Sequence, residues 1–479
     1  MPDDRYRSPL GTRYASPAMQ SLWGERHRIG LWRRLWLALA ESERALGLDI
    51  PERALDEMRA HLDDVDLDAA GRYERRFRHD VMAHVHAFGE QAPAARPFLH
   101  LGATSAFVTD NADLVVMREA LRLLLGRLIA VLDALEGFAR RNASLPCLAY
   151  THFQPAQLTT VGKRATLWML DFALDVEEIC HRLDTLRFRG CKGTTGTQAS
   201  FVELFGGDHA KVRELDWLVS QKMGFSNPFP VSGQTYTRKA DSMVLDALSG
   251  VAQSAAKFAV DLRLLQHENE LLEPFESEQI GSSAMAYKRN PMRAERIGAL
   301  ARFVISLQAN TAHTAANQWL ERTLDDSANR RLTLPEGFLA VDAILILATN
   351  IAAGLEVREG AIARHVAEQM PFMATERWLM VGVRNGGDRQ TLHEVVRTHS
   401  MAVAESVSGG GLNDLLDRLA ADPAFAGVPA AALTAELDPT LYTGRAAAQV
   451  HEFLGEFMPP IFARARTLAA DVAAAEVCV

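Results

Sequence analysis

Cysteine is scarce in this 479-residue chain: Cys147, Cys180, Cys191 and Cys478 lie far apart, with no C-x-x-C pair. Neither a disulfide framework nor a zinc site is suggested, and reduced thiols are expected, three of them buried. Aromatic residues make up only 7 %, and there is no excess of positive charge, since 51 Lys and Arg face 60 Asp and Glu for a formal charge of −9. Neither a nucleic acid nor an anionic membrane surface is therefore expected as the main partner, although a small anion can still bind locally. No stretch approaches the ~20 apolar residues of a membrane span. The polar segment Met1 to Gly11 lacks the apolar core of a signal peptide, so the expectation is a cytoplasmic protein. Also missing are the patterns G-x-x-x-x-G-K-[ST], G-x-G-x-x-G and G-x-S-x-G. The glycines at 190, 193 and 196 have the wrong spacing for a dinucleotide loop. ATP-driven, nicotinamide-dependent and α/β-hydrolase chemistries are not expected.

What is present is an ordinary globular composition, 48 % hydrophobic and 23 % charged, long enough for about three domains. Proline is uneven, and its gaps are informative because an interior proline costs a helix ~3 kcal/mol. Between Pro230 and Pro274, Val244, Leu248, Val251, Ala255, Phe258, Leu262 and Leu265 alternate spacings of four and three, a bundle seam. A second seam follows Pro291 (Ile297, Leu300, Val304, Leu307, Thr311, Thr314). A third follows Pro335 (Phe338, Val341, Leu345, Ala348, Ala352, Leu355). Helical patterns also fit Asp110 to Arg141 and Lys163 to Phe188, while strict alternation of Val, Ile and Thr is scarce. The fold class is all-α, in three helical domains, 1–105, 106–357 and 358–479, the middle one a bundle of long helices. Seams this apolar, with small-residue faces such as Ala252 to Ala256, predict cover from partner helices of other subunits and hence an oligomer.

Three segments break the helical pattern and read as loops: Ser144 to Gln157, Gly190 to Gly207 and Gln279 to Met292. The last, GSSAMAYKRNP from Gly281 to Pro291, combines two hydroxyls, a lysine and an amide, a mixture suited to cradling a carboxylate and stabilising an oxygen that gains charge. Residues 286–302 hold Lys288, Arg289, Arg293, Arg296 and Arg302 against Glu295 alone, either a binding surface or a solvated basic face. In Glu321 to Arg331, Ser327 and Arg331 fall four apart, a hydroxyl and a guanidinium able to grip a phosphate; internal Arg/Asp pairing at a helix start is the equal alternative. His79, His84 and His86 invite a metal reading, but His79 and His86 share a helix face that His84 leaves, and the i, i+4 pair is missing. His152, read as a loop residue, is either a proton donor or acceptor or a structural histidine.

GSSAMAYKRNP resembles the GSSxMPxKxNP signature of the fumarase/aspartase superfamily, all-helical homotetramers that release fumarate. Within it, TRYAS (12–16), RHDVMAHVH (78–86), HLGATS (100–105), THFQPAQ (151–157), KGTTGTQASF (192–201), SGQTYTRK (232–239) and ERTLDDSANRR (321–331) are similar to the adenylosuccinate lyase family in its animal-like form. The resemblance implies elimination of fumarate from adenylosuccinate, leaving AMP, and from SAICAR, leaving AICAR, with no cofactor and no metal, in a homotetramer whose sites are shared by three subunits. It implies Ser282 as base, His152 as acid, with His79 in support, and Lys288 with Asn290 at the carboxylate dianion. By the same resemblance Arg13, Tyr14, Arg322, Ser327 and Arg331 contact phosphate and ribose, and Arg78, His79 and Asp80 line the nucleotide. Thr104, Ser105, Thr151 and Gln234 contact the succinyl part, and Arg296 is a further substrate contact. Ala286 departs from the pattern, which has Pro there. Rival readings are another fumarate-releasing lyase, such as one for argininosuccinate, for which Arg322, Ser327 and Arg331 are superfluous, and a non-catalytic crystallin-like protein, disfavoured by Ser282, His152 and Lys288 together.

Overall fold

Where proline is missing, helices run long. In the computed structural model, which describes residues 5–472, five short and medium helices come first: α1 (Pro17–Leu22), α2 (Glu25–Ala45), α3 (Glu52–Ala60), α4 (Leu67–Phe77) and α5 (Asp80–Gln91). The 37-residue α6 (Ser105–Arg141) follows, then strands β1 (Pro146–Thr151) and β2 (Gln154–Thr160), and α7 (Val161–Thr185). After α8 (Ala199–Leu204) and α9 (His209–Lys222) come α10 (Lys239–His267), β3 (Leu271–Leu272), α11 (Met292–Ala316), α12 (Asp325–Gly354) and β4 (Glu356–Val357). The chain ends in α13 (Glu359–Met373), α14 (Thr375–Arg384), α15 (Arg389–Ser408), α16 (Leu415–Ala421), α17 (Ala430–Ala435), α18 (Ala446–Glu452) and α19 (Met458–Leu468). Side-chain caps satisfy orphan N–H groups at several starts: Ser16 accepts from Met19 N at 3.2 Å, Asp66 from Ala69 N and Thr160 from Lys163 N.

Helices α6, α7, α10, α11 and α12 close a ring, each packed against the next. The seam residues of α10 from Val244 to Leu265 are all buried, as are Ile297, Val304, Phe338, Val341, Leu345, Ala348 and Ala352. The chain itself therefore covers most of the seams that were expected to need other subunits, with Leu300, Leu307, Thr314 and Leu355 half-buried. What it leaves exposed is a different set: Leu167, Leu170 and Leu174 on α7, Met243, Val260 and Leu264 on α10, Phe303 and Ile305 on α11, and Leu332 on α12. Within the ring Phe258 meets Trp168 edge-on at 5.1 Å. Helices α14 to α17 enclose a smaller core around Trp378, Leu392, Leu415 and Phe425, while α19 returns to α6 and α7 through residues such as Phe462. Cys147, Cys180 and Cys191 are buried free thiols, and Cys478 lies outside the described residues.

Three expectations need correction. Helix α12 is by length and composition apolar enough to cross a membrane, contrary to the reading that no stretch comes close, but 78 % of its most apolar window is buried inside the protein. Asp342 in its middle is buried and accepts from Arg127 Nε at 3.2 Å and Ser16 N at 2.7 Å. Pro335 does not begin this helix but lies inside it. It cannot donate to the Arg331 carbonyl, yet the buried face from Leu334 to Ala352 outweighs the loss of one helical bond. The segment Ser144 to Gln157 is no loop: β1 and β2 form an antiparallel hairpin whose register runs from Pro146 opposite Thr160 to Thr151 opposite Gln154, with a bulge between Leu148 and Tyr150.

Candidate active site

A cavity of about 610 Å³ opens where the start of α12 faces the starts of α5 and α6. Arg78 ends α4 in the left-handed conformation (φ 55°), a strain of ~1–2 kcal/mol for a residue with a Cβ. That turn delivers His79, which caps α5 rather than riding on it: Nδ1 accepts from Met82 N at 3.4 Å, and Nε2 lies 3.3 Å from Ser105 Oγ. The face shared by His79 and His86 therefore does not exist. His84 is buried edge-on to Trp32, and burial, helped by nearby Arg33, lowers its pKa to about 4. No group of three metal-ligating side chains occurs among the described residues.

Across the cavity, Ser327 and Arg331 do lie four apart on α12, and both line it. Arg331 reaches Asp80 at 3.4 Å, and Arg322 donates to Asp326 at 2.7 Å. Both alternatives for this segment are thus realised, pairing at the helix start and a hydroxyl and guanidinium facing the cavity. Gln234 completes the wall on a loop of closely stacked backbone. A Cβ at Gly196 (φ 83°) would fall 1.8 Å from the Ser232 carbonyl and one at Gly233 2.6 Å from the Glu321 carbonyl, so only glycine permits these approaches. Gln234 N donates to that same Glu321 carbonyl at 3.0 Å.

Part of the cavity wall, through Asp110, Asp113, Arg238, Asp326 and Arg330, is an ionic lattice that the sequence reading missed. Arg238 holds both oxygens of Asp110 at 3.1 Å and Asp326 at 2.6 Å. Arg330 donates to Asp241 at 2.7 Å, Asp113 at 2.9 Å and the Tyr236 hydroxyl at 2.6 Å. Burial alone would raise the Asp110 carboxyl, but facing Arg238 and Arg330 it is held below the usual range. For Asp113 burial wins, and its pKa is raised although Arg330 faces it. Such fork-to-carboxylate pairs fix the start of α12 against α6 and α10, and with it Ser327 and Arg331. Its residues lie in the motifs SGQTYTRK and ERTLDDSANRR, which supply Tyr236, Arg238, Asp326 and Arg330.

The structure thus brings Arg78, His79, Asp80, Ser105, Gln234, Arg322, Ser327 and Arg331 together, with Thr104 immediately before α6. The remaining candidates form three groups that do not line the cavity within this chain. Arg13 and Tyr14 sit against α12, with the Arg296 guanidinium 5.2 Å from the Tyr14 ring. Thr151 and His152 are exposed at the hairpin tip, where His152 and Phe153 both take positive φ, 55° and 58°. Ser282, Lys288 and Asn290 lie on the irregular loop before α11. Ser282 Oγ accepts from Ala284 N at 3.4 Å and Met285 N at 3.2 Å, while Asn290 Nδ2 donates to the Gly281 carbonyl at 2.7 Å and closes the loop's neck. The basic run beside it is largely spent on structure: Arg289 pairs with Glu356 at 3.2 Å, and Arg293 is fully buried and pairs with Glu276 at 2.6 Å.

Comparison with known proteins identifies the family. A family model described as "Lyase" matches residues 38–306, and one described as "Adenylosuccinate lyase C-terminus" matches residues 371–453. Adenylosuccinate lyase of Schizosaccharomyces pombe is 47 % identical over 94 % of both chains. That of Saccharomyces cerevisiae is 48 % identical over 95 % of both, and that of Schistosoma mansoni 46 % identical over 95 % of this chain and 96 % of its own. Among solved structures, a fumarate lyase from Mesorhizobium sp. BNC1 superposes with a TM-score of 0.78 over 94 % of this chain and 100 % of its own at 23 % identity, a likeness of fold. The chain belongs to the adenylosuccinate lyase family of the fumarase/aspartase superfamily.

Proposed function

We propose that this protein is a carbon–nitrogen lyase that eliminates fumarate from adenylosuccinate, leaving AMP, and from SAICAR, leaving AICAR, in the cytoplasm. The observation that carries the reading is the cavity, where a hydroxyl and two guanidiniums, Ser327, Arg322 and Arg331, stand opposite His79 and Ser105. An argininosuccinate lyase has no phosphate to hold with them. In the elimination, Ser282 Oγ takes a proton from the succinyl carbon next to a carboxylate. Lys288 and Asn290 stabilise the dianion so formed, the C–N bond breaks, and His152 protonates the departing nitrogen. A free serine hydroxyl is too weak a base at neutral pH. Support for its activation comes from the two backbone N–H groups already directed at Ser282 Oγ, with Lys288 on the same loop.

The base, acid and phosphate groups lie on separate parts of one chain, which supports a homotetramer in which three subunits each contribute one group to a site. The uncovered apolar residues of α7, α10 and α11 support the same assembly. The test is fumarate release by purified protein given adenylosuccinate, SAICAR or argininosuccinate. Release from the first two is expected; release only from the third, or from none, refutes the reading. Ser282→Ala is expected to retain under a tenth of turnover with a modest loss of binding.

A further inference from the structure

We propose that Glu270, outside the cavity and the loop, is a positioning residue for His152, acting through Tyr150 and the base of the hairpin. The inference rests on the reading of His152 as the acid.

The hairpin tip is the starting point. Its two-residue turn puts His152 and Phe153 in the left-handed region, where Asn-Gly or Asp-Gly pairs are the usual occupants. Both residues are exposed, so neither their own preferences nor burial selects this geometry. The strands must hold it, and the bulge between Leu148 and Tyr150 re-aims the last residues before the tip.

The strands in turn are held at Glu270, a side chain with no exposure between α10 and β3. Its Oε1 accepts from the Tyr150 hydroxyl at 3.5 Å and lies 2.9 Å from His365 Nδ1 of α13. Its Oε2 lies 3.9 Å from Arg164 of α7, whose guanidinium also donates to the Leu148 carbonyl in β1. One carboxylate thus joins β1, α7 and α13. Tyr150 continues the link outward, its ring centroid 6.0 Å from that of Phe153, the neighbour of His152. Burial, and then Glu270 itself, push the Tyr150 hydroxyl up to about 12, so it remains a donor throughout the working pH range.

The test is kinetic, on the full-length enzyme, with Tyr150→Phe as the mild variant and Glu270→Ala as the severe one. Tyr150→Phe is expected to lower kcat about tenfold and Glu270→Ala about a hundredfold, with KM within about threefold. Glu270→Gln, which keeps an acceptor for Tyr150, is expected to recover most of the loss. Added to His152→Ala, Tyr150→Phe is expected to cost less than about twofold further, because its effect passes through His152. Unchanged kcat in Tyr150→Phe and Glu270→Ala, or an equal loss with and without His152, overturns the positioning role alone. Near-normal turnover by His152→Ala overturns that role together with the reading of His152 as the acid.

Discussion

Glu43 lies on α2 with no exposure and no hydrogen-bond partner for either carboxyl oxygen among the described residues. Burial pushes its pKa up to about 9. The folded state therefore keeps a proton that the unfolded chain releases above its ordinary value of 4.5, so this group's stability is fully present below that value and is lost as pH rises towards 9. The deficit is on the order of 3 kcal/mol at pH 7. Glu43→Gln is expected to gain thermal stability over the parent as pH goes from 5 to 8, measured by calorimetry at several pH values; a constant gap disproves it. Asp110 has the opposite sign. Held low by Arg238 and Arg330, its contribution is present above the usual carboxylate range and is lost only as pH falls below it. Asp110→Ala removes one of the two carboxylates that hold Arg238, leaving Asp326, and is expected to destabilise by ~3 kcal/mol in denaturant melts. Neither residue was legible in the sequence. Spacing reveals pairs four apart, such as Ser327 and Arg331, but a pair joining residues 110 and 238 has no local pattern.

At the scale of elements, the loop and the hairpin contrast. The loop before α11 is tied at its neck, where a Cβ on Gly281 would come 2.2 Å from the Lys288 carbonyl. Gly281→Ala is expected to force that neck apart and lower kcat by more than tenfold at nearly unchanged melting temperature, checked by paired kinetics and melts. Ala286, where the family has proline, is exposed, and its N–H donates no hydrogen bond among the described residues. Proline there removes only freedom of the open loop, worth ~0.4–1 kcal/mol. Ala286→Pro is expected to turn over as fast as the parent or a few times faster, and a large fall in kcat refutes this. The long helices were legible because proline and apolar spacing act locally. The hairpin was not: its turn is His152-Phe153 rather than Asn-Gly, and Pro146 and Pro155 read as breakers. Pro335 misled for the converse reason, because tertiary burial overrode a local penalty.

At the scale of the whole molecule, the single chain keeps its candidate acid and base outside the cavity and leaves apolar side chains uncovered on four ring helices, α7, α10, α11 and, through Leu332, α12. Leu174→Arg, on the uncovered face of α7, is expected to lower the mass seen by light scattering and, under the proposed sharing of sites between subunits, to abolish turnover. Mixing refolded Ser282→Ala and His152→Ala subunits is expected to restore activity that neither has alone, and no recovery argues against shared sites. The −9 charge is silent on the site for a related reason. Many of the chain's cations are neutralised in pairs, Arg289 and Arg293 away from the cavity and Arg238 and Arg330 in its wall, so local arrangement rather than net charge decides what binds. By itself the sequence determined the helical class, the long helices and the motifs that carry chemistry, because helix periodicity and motif spacing are properties of neighbours along the chain. Only the tertiary structure decided which motifs meet, which arginines are spent in the interior and which apolar faces remain open, because burial and ion pairing depend on contacts between residues hundreds of positions apart.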